Sequence, residues 1–100
     1  MSHSLSSSRH SYRGLPNDIT IDVRSRLEFW LGHLPGAVNM PLGGLVGRLE
    51  NHVDISKESR IVVYCASGMR SATAAARLRA LGYHRVTDAG AMSVAAAEYR

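Results

Sequence analysis

The stretch IVVYCASGMRSATAAARLRALG, from Ile61 to Gly82, switches from one periodicity to another, and the fold is read from that switch. Arg60 to Tyr64 carries a β-branched apolar run, which predicts a buried strand. From Ser71 to Leu81, Ala74, Ala75 and Leu78 recur at helical spacing, and Gly82 supplies a C-terminal stop. Ser71 is placed to act near the helix cap. Between the two lie Cys65, Ala66, Ser67, Gly68, Met69 and Arg70. A strand that passes through so short a link into a helix is half of a βαβ unit.

Working outward, the same alternation continues. Ile19 to Val23 reads as a second buried strand. Ser25 and Glu28 form a capping-box pattern, with Leu27, Trp30 and Leu31 at helical spacing behind it, so a short helix is expected to end near Gly32. HLPG is a turn, and AVNM is a short strand stopped by Pro41. Leu42, Leu45, Val46 and Leu49 predict an amphipathic helix to about His52. Arg85 to Thr87 reads as a further strand, and Ala91 to Arg100 as a last helix. Strands alternating with helices imply an α/β domain, with a parallel sheet covered on both faces. The strands read as apolar throughout, as such a sheet requires. The first fourteen residues, MSHSLSSSRHSYRG, have no apolar period. They read as a flexible Ser-rich tail, residues 1–14, with an edge contribution near Tyr12, followed by one domain over residues 15–100.

Ligands of open α/β sheets bind beyond the carboxyl ends of the strands, and Cys65 stands at that position. Gly68 permits a backbone conformation that other residues resist, and the helix N-terminus adds positive potential. The loop centre should therefore favour an anion. A thiolate at its edge should ionise more readily than a free cysteine and act as a nucleophile. Arg70 brings a permanent cation with a forked donor set suited to an oxyanion. A lone cysteine at a strand end can also be a small inert core residue, and spacing alone leaves both readings open.

Composition narrows the function classes. The 100 residues carry a formal charge of +4, with 12 cationic and 8 acidic side chains. The basic residues are scattered and only 6% of the chain is aromatic, so a nucleic-acid surface is not expected; a preference for small anions fits the charge. With 1 cysteine no internal disulfide can form. The 5 histidines are dispersed, so no metal site is expected. No apolar run reaches the length of a membrane span, and the N-terminus lacks a signal-peptide core. A reducing cytoplasm is the expected compartment, or the periplasm had a signal been removed.

CASGMRS, Cys65 to Ser71, resembles the C-x-x-G-x-R-S active loop of the rhodanese family of sulfurtransferases. The upstream segment IDVRSRLEFWLGHLPGAVNMPL is similar to that family's other signature, with Asp22, Arg24, Glu28, Phe29, Gly32, His33, Pro35, Gly36, Ala37, Asn39 and Pro41 in place. LRALGYHRVTDAGA resembles the stretch after the active helix, so the likeness covers roughly Ile19 to Ala91. The chain looks most like the small single-domain rhodaneses of the phage-shock E and glycerol-regulon types. It departs from the pattern at Gly90-Ala91, where the family usually has Gly-Gly and a tryptophan soon after, and in a short segment before Ile19.

The resemblance implies a rhodanese-like three-layer α/β domain with a central, mostly parallel sheet of about four to five strands. It implies a thiosulfate sulfurtransferase: Cys65 takes a sulfane sulfur as a persulfide and hands it to a thiophilic acceptor such as cyanide, a thiol or a protein cysteine. The backbone of Ala66, Ser67, Gly68, Met69, Arg70 and Ser71 would cradle the sulfur, with no cofactor, nucleic acid or membrane involved. A monomer or weak homodimer is expected. Asp22, Arg24 and His33 would support the site. For Asp22 and Arg24 the plainer expectation is a structural ion pair, and for His33 a hydrogen bond to backbone. Ser71 is expected chiefly as a helix cap, and Trp30 as a core residue. The alternatives are a non-enzymatic rhodanese-like interaction or sulfur-carrier module, and a dual-specificity phosphatase or arsenate reductase. The phosphatases of related fold use C-x5-R; Cys65 to Arg70 is C-x4-R, one residue shorter and suited to a sulfur atom.

Overall fold

The computed structural model describes residues 10–100. The expected tail, residues 1–14, thus lies outside the described residues as far as residue 9. Its last part enters the fold. Ser11–Tyr12 (β1) pairs antiparallel with Leu15–Pro16 (β2). Arg13 and Gly14 between them both hold positive φ, 52° and 80°, as a tight type I′ hairpin turn requires. Tyr12 is buried and bridges to Tyr99 near the C-terminus.

The central sheet has four parallel strands: Ile19–Asp22 (β3), Val38–Asn39 (β4), Ile61–Cys65 (β5) and Val86–Ala91 (β6), in the order β4-β3-β5-β6. Successive side chains of a strand point to opposite faces, and the core divides by that parity. Odd-numbered Ile19, Ile21, Ile61, Val63 and Cys65 join one apolar cluster, packed by Leu45 and Leu49 and by Ala74, Ala75 and Leu78. Even-numbered Val62 and Tyr64 join the other, with Tyr12, Leu34, Ala89, Ala95 and Tyr99. Covering both faces makes the three layers. Each fully buried leucine, such as Leu45, Leu49 or Leu78, is worth about 2 kcal/mol of apolar transfer.

The helices follow the expected places with shifted ends. Arg26–Leu31 (α1) is closed by the anticipated capping box of Ser25 and Glu28 and ends at Gly32. A 3-10 turn, Leu42–Gly44, leads into Leu45–Glu50 (α2). Met69–Ala80 (α3) begins two residues before the expected Ser71, because Gly68 and not Ser71 is its N-cap; Gly82 then turns the chain at φ 97°. The last predicted helix is broken: Met92–Ala95 (α4) passes into a 3-10 turn, Ala96–Glu98, and Tyr99 leaves to meet Tyr12.

Two further expectations are corrected. Strand β3 is not apolar throughout: Thr20 and Asp22 are both buried in it, and Asp22 is tolerated there because Arg24 neutralises it. Trp30 is not a core residue. It is 79% exposed, with Leu27 at 65% and Leu31 at 71%. Helix α1 is held by its caps and by the Glu28 carboxylate, and it places no residue in either apolar cluster.

Candidate active site

Cys65 is the last residue of β5, not the first of the loop. The strand's parity turns its side chain toward the face covered by α2 and α3, and the residue is fully buried. Strand β6 is bulged alongside: the register passes from Val63↔Asp88 to Tyr64↔Gly90. Gly90 holds φ 76° there, with its N–H bonded to Asp88 Oδ1 at 2.9 Å. Bulges of this kind re-aim a strand beside a site, and this one brings Gly90 against the loop, near Gly68.

The thiol environment follows from the choice of N-cap. An N-cap serine or aspartate ordinarily accepts a hydrogen bond from the backbone N–H two or three residues on. Gly68 has no side chain, and at φ 98° it turns the chain sharply. The N–H of Ser71, third in the helix, is thereby left for another acceptor, and Cys65 Sγ takes it at 3.3 Å. The Gly68 N–H donates to the same sulfur at 3.0 Å. Cys65 thus serves as the surrogate cap of α3, at the positive end of a twelve-residue helix dipole.

Ser71 is fully buried, and its hydroxyl lies 3.5 Å from Sγ and 3.2 Å from the Gly68 carbonyl, to which it donates. This corrects its expected role as a helix cap. The N-cap Gly68 has no side chain to cap α3, the Cys65 sulfur takes that place, and the Ser71 hydroxyl faces the sulfur. Burial alone would raise the Cys65 pKa. The hydrogen bonds of the Ser71 side chain and of the Ser71, Gly68 and Ser67 backbone outweigh it, and the net shift is downward from the ordinary cysteine value.

Arg70 does not stand free for an oxyanion. Its two terminal nitrogens form a fork on the Glu28 carboxylate, at 2.7 and 3.0 Å. Glu28 also returns the capping bond to the Ser25 N–H at 3.0 Å. The Arg70 contact, then the Ser25 bond, hold its pKa down at about 2. Its bond to Glu28 raises the Arg70 pKa, and the nearby Cys65 charge raises it further. Glu28 is the residue that sequence reasoning missed. Its capping role was legible, but its partner stands 42 positions away, and only the Glu-aromatic pair of the upstream signature marked it as special.

Asp22 and Arg24 form the expected ion pair, buried at the end of β3. Arg24 Nη2 donates to Asp22 Oδ2 at 2.7 Å and to the Gly32 carbonyl at 2.5 Å. The bond to Asp22 raises the Arg24 pKa. Asn39 ties the same corner by donating to the Asp22 and Arg24 carbonyls, both at 3.0 Å. His33 bonds the Phe29 carbonyl at 2.8 Å and stacks on the Phe29 ring at 3.6 Å, while remaining exposed. Ala66 and Ser67 are exposed on the loop, and Met69 is exposed at the first position of α3. Among the described residues no group of three His, Cys, Asp or Glu gathers as a metal site, and no helix is long and apolar enough to cross a membrane.

Residues 9–90 match the rhodanese-like domain family. A rhodanese from E. coli, solved with anions, superimposes with a TM-score of 0.73 at 32% identity, over 82% of this chain and 95% of that one. The adenylyltransferase and sulfurtransferase uba4 of Ogataea parapolymorpha is 34% identical over 68 residues, 68% of this chain but 17% of that protein. A tRNA uridine(34) hydroxylase of Erwinia tasmaniensis is 32% identical over 71% of this chain and 21% of that protein. The chain spans about a fifth of the length of these curated relatives.

Proposed function

Because the chain belongs to the rhodanese-like domain family, we propose that it is a sulfurtransferase that carries a sulfane sulfur on Cys65. The observation that carries this reading is the pair of backbone donors on Sγ, Gly68 N–H at 3.0 Å and Ser71 N–H at 3.3 Å, at the N-terminus of α3. Fixed dipoles aimed at one sulfur favour its anionic state without a metal or a general base.

In the first half-reaction the Cys65 thiolate attacks the outer sulfur of thiosulfate. The S–S bond of the donor breaks, sulfite leaves with the electron pair, and Cys65 holds a persulfide anion. In the second, a thiophilic acceptor attacks the terminal sulfur and the Cys65 thiolate is released. Cyanide would leave as thiocyanate, and a thiol would leave as its own persulfide. Charge is conserved in each step: the Gly68 and Ser71 N–H groups hold Sγ in the thiolate, and in the persulfide the charge passes to the added sulfur one bond further out. Cys65 is fully buried, so a donor reaches its sulfur only when the surrounding loop opens. C-x4-R spacing supports sulfur over phosphoryl transfer.

Incubation with thiosulfate should add one sulfur, about 32 Da, to the intact mass, and cyanide should remove it. Cys65→Ser should stay unmodified. An unchanged mass in the native protein would refute the proposal, and turnover of an aryl phosphate that depends on Cys65 would replace it with the phosphatase reading.

A further inference from the structure

At the opposite pole of the sheet, under the β1–β2 hairpin and against the starts of β5 and β6, lies a cavity of about 270 Å³. Ile61 is separated from Cys65 by the full length of β5, roughly 13 Å at the rise of a strand. The cavity is therefore distinct from the thiol loop, and it lies where an α/β sheet has no general reason to bind anything.

Three features meet in it. Its lining is mixed, with Tyr12, Val62 and Val86 supplying the apolar part beside His84, Thr87 and Asn17. Its mouth carries Arg60 and Arg85, both exposed; neither forms a direct salt bridge among the described residues, although Arg85 lies near enough to Glu58 to help hold that carboxylate's pKa down. The two nearby carboxylates are already engaged and do not line it. Glu58 is bound by His84 at 2.9 Å, and Asp18 accepts the backbone N–H of Arg60 at 2.8 Å. The third feature is Asn17, on the inner wall and 3% exposed. Its Nδ2 donates to Thr20 Oγ1 at 2.7 Å, and its Oδ1 is buried with no partner. A buried acceptor left unmade is costly and marks a place where a donor belongs.

We propose that this cavity is a second binding site, for a nucleoside monophosphate. The phosphate sits between Arg60 and Arg85, for which a forked guanidinium pair is the natural match. The base enters against the apolar part of the lining, and an exocyclic N–H reaches Asn17 Oδ1. The hairpin above the amide is tied to the C-terminus, through Ser11 with Arg100 and the Arg13 N–H on the Glu98 carbonyl, so uncovering Oδ1 calls for a local side-chain shift and not a movement of the hairpin. Inorganic phosphate would use only the mouth, and a free nucleoside only the interior, so each should bind much more weakly than the nucleotide.

The test is a titration of isotope-labelled protein with 5′-AMP, followed by amide chemical shifts, with adenosine and inorganic phosphate as separate arms. AMP should give saturable shifts at Asn17, Ile61 and Thr87, with each fragment at least about tenfold weaker. Arg60→Gln with Arg85→Gln should weaken AMP by at least about tenfold while leaving the spectrum folded. Cys65→Ser should bind AMP as the native protein does, which separates this result from the fate of the sulfurtransferase reading. Shifts confined to the Gly68–Ser71 loop, equal binding of phosphate and AMP, AMP binding unmoved by the double substitution, or no saturable shift at millimolar AMP would each overturn the site.

Discussion

Ser71→Ala isolates one contribution to the state of the Cys65 sulfur. The serine hydroxyl has a single proton and two neighbours that want it, the Gly68 carbonyl at 3.2 Å and Sγ at 3.5 Å. While Cys65 is a thiol, its S–H points to the serine oxygen and the hydroxyl points to the carbonyl. When Cys65 ionises, the hydroxyl turns to the thiolate. The Gly68 carbonyl is not orphaned by this, because the Ala72 N–H also donates to it, at 3.2 Å. A hydrogen bond to a charged group is worth about 1.5–3 kcal/mol. At 3.5 Å the lower figure applies. Ser71→Ala should therefore raise the Cys65 pKa toward the ordinary cysteine value, leaving the Ser71, Gly68 and Ser67 backbone to hold the rest of the depression. The linkage follows the sign of the shift. A thiol with a depressed folded pKa adds nothing to stability in acid, begins to add as pH passes the folded value, and adds its full share above the unfolded value near ~8.5. Native protein and variant should accordingly diverge toward alkaline pH. The assay is thiolate ultraviolet absorbance against pH, with Cys65→Ser as the blank and Ser71→Thr as the variant that keeps a hydroxyl. An unchanged midpoint in Ser71→Ala, or a midpoint raised equally in Ser71→Thr, would refute the hydroxyl's role.

Gly68→Ala should destabilise the fold by about 1–2 kcal/mol in chemical denaturation. At φ 98° the cost is conformational, since the added Cβ would meet nothing closer than 3.8 Å; the same change should slow sulfur loading by loosening the N–H bonded at 3.0 Å. Glu28→Gln removes the charge of a half-exposed pair while its amide oxygen keeps the capping return, so it should cost less than about 1 kcal/mol after solvent screening. The carboxylate's pKa is lowered to about 2 from 4.5. The native advantage should therefore be complete above 4.5 and disappear as pH falls toward 2, which denaturation midpoints across that range would check. Trp30→Ala should change stability by no more than about 0.5 kcal/mol, because the ring is 79% exposed; a large loss would show that α1 packs against something.

How far the sequence could be read depended on whether a feature is local. The β5–loop–α3 passage was legible because strand period, glycine and helix period follow one another along the chain, and the capping box of α1 was legible because its partners are three residues apart. The role of Ser71 was misread because capping preference belongs to residue type, while here the preceding glycine moved the helix start and turned the serine inward. Trp30 was misread because helical spacing reports a stripe and not what covers it. The clasp of Glu28 on Arg70 joins positions 28 and 70, and no periodicity carries such a pairing. The bulge at Gly90 depends on the register between β5 and β6, which emerges only when the strands are side by side.

The two signature segments divide the work between them. The upstream segment gives the sulfur none of its hydrogen bonds. It fixes the corner where β3 ends, through Arg24 on Asp22 and Gly32 and through Asn39 on two carbonyls. Sheet register carries that rigidity across, since Asp22 pairs with Tyr64, whose hydroxyl accepts the Leu34 N–H at 3.0 Å. Glu28 then grips Arg70, and the pair is close to neutral as a unit. A free arginine beside the thiolate would favour any anion in the cradle and hold a donor's oxyanion as firmly as the sulfur. With its charge largely matched, the preference for negative sulfur falls to backbone N–H groups and the helix dipole, which neither titrate nor change rotamer. The N–H contacts are made to Sγ itself, so it is the Cys65 thiolate that this geometry favours.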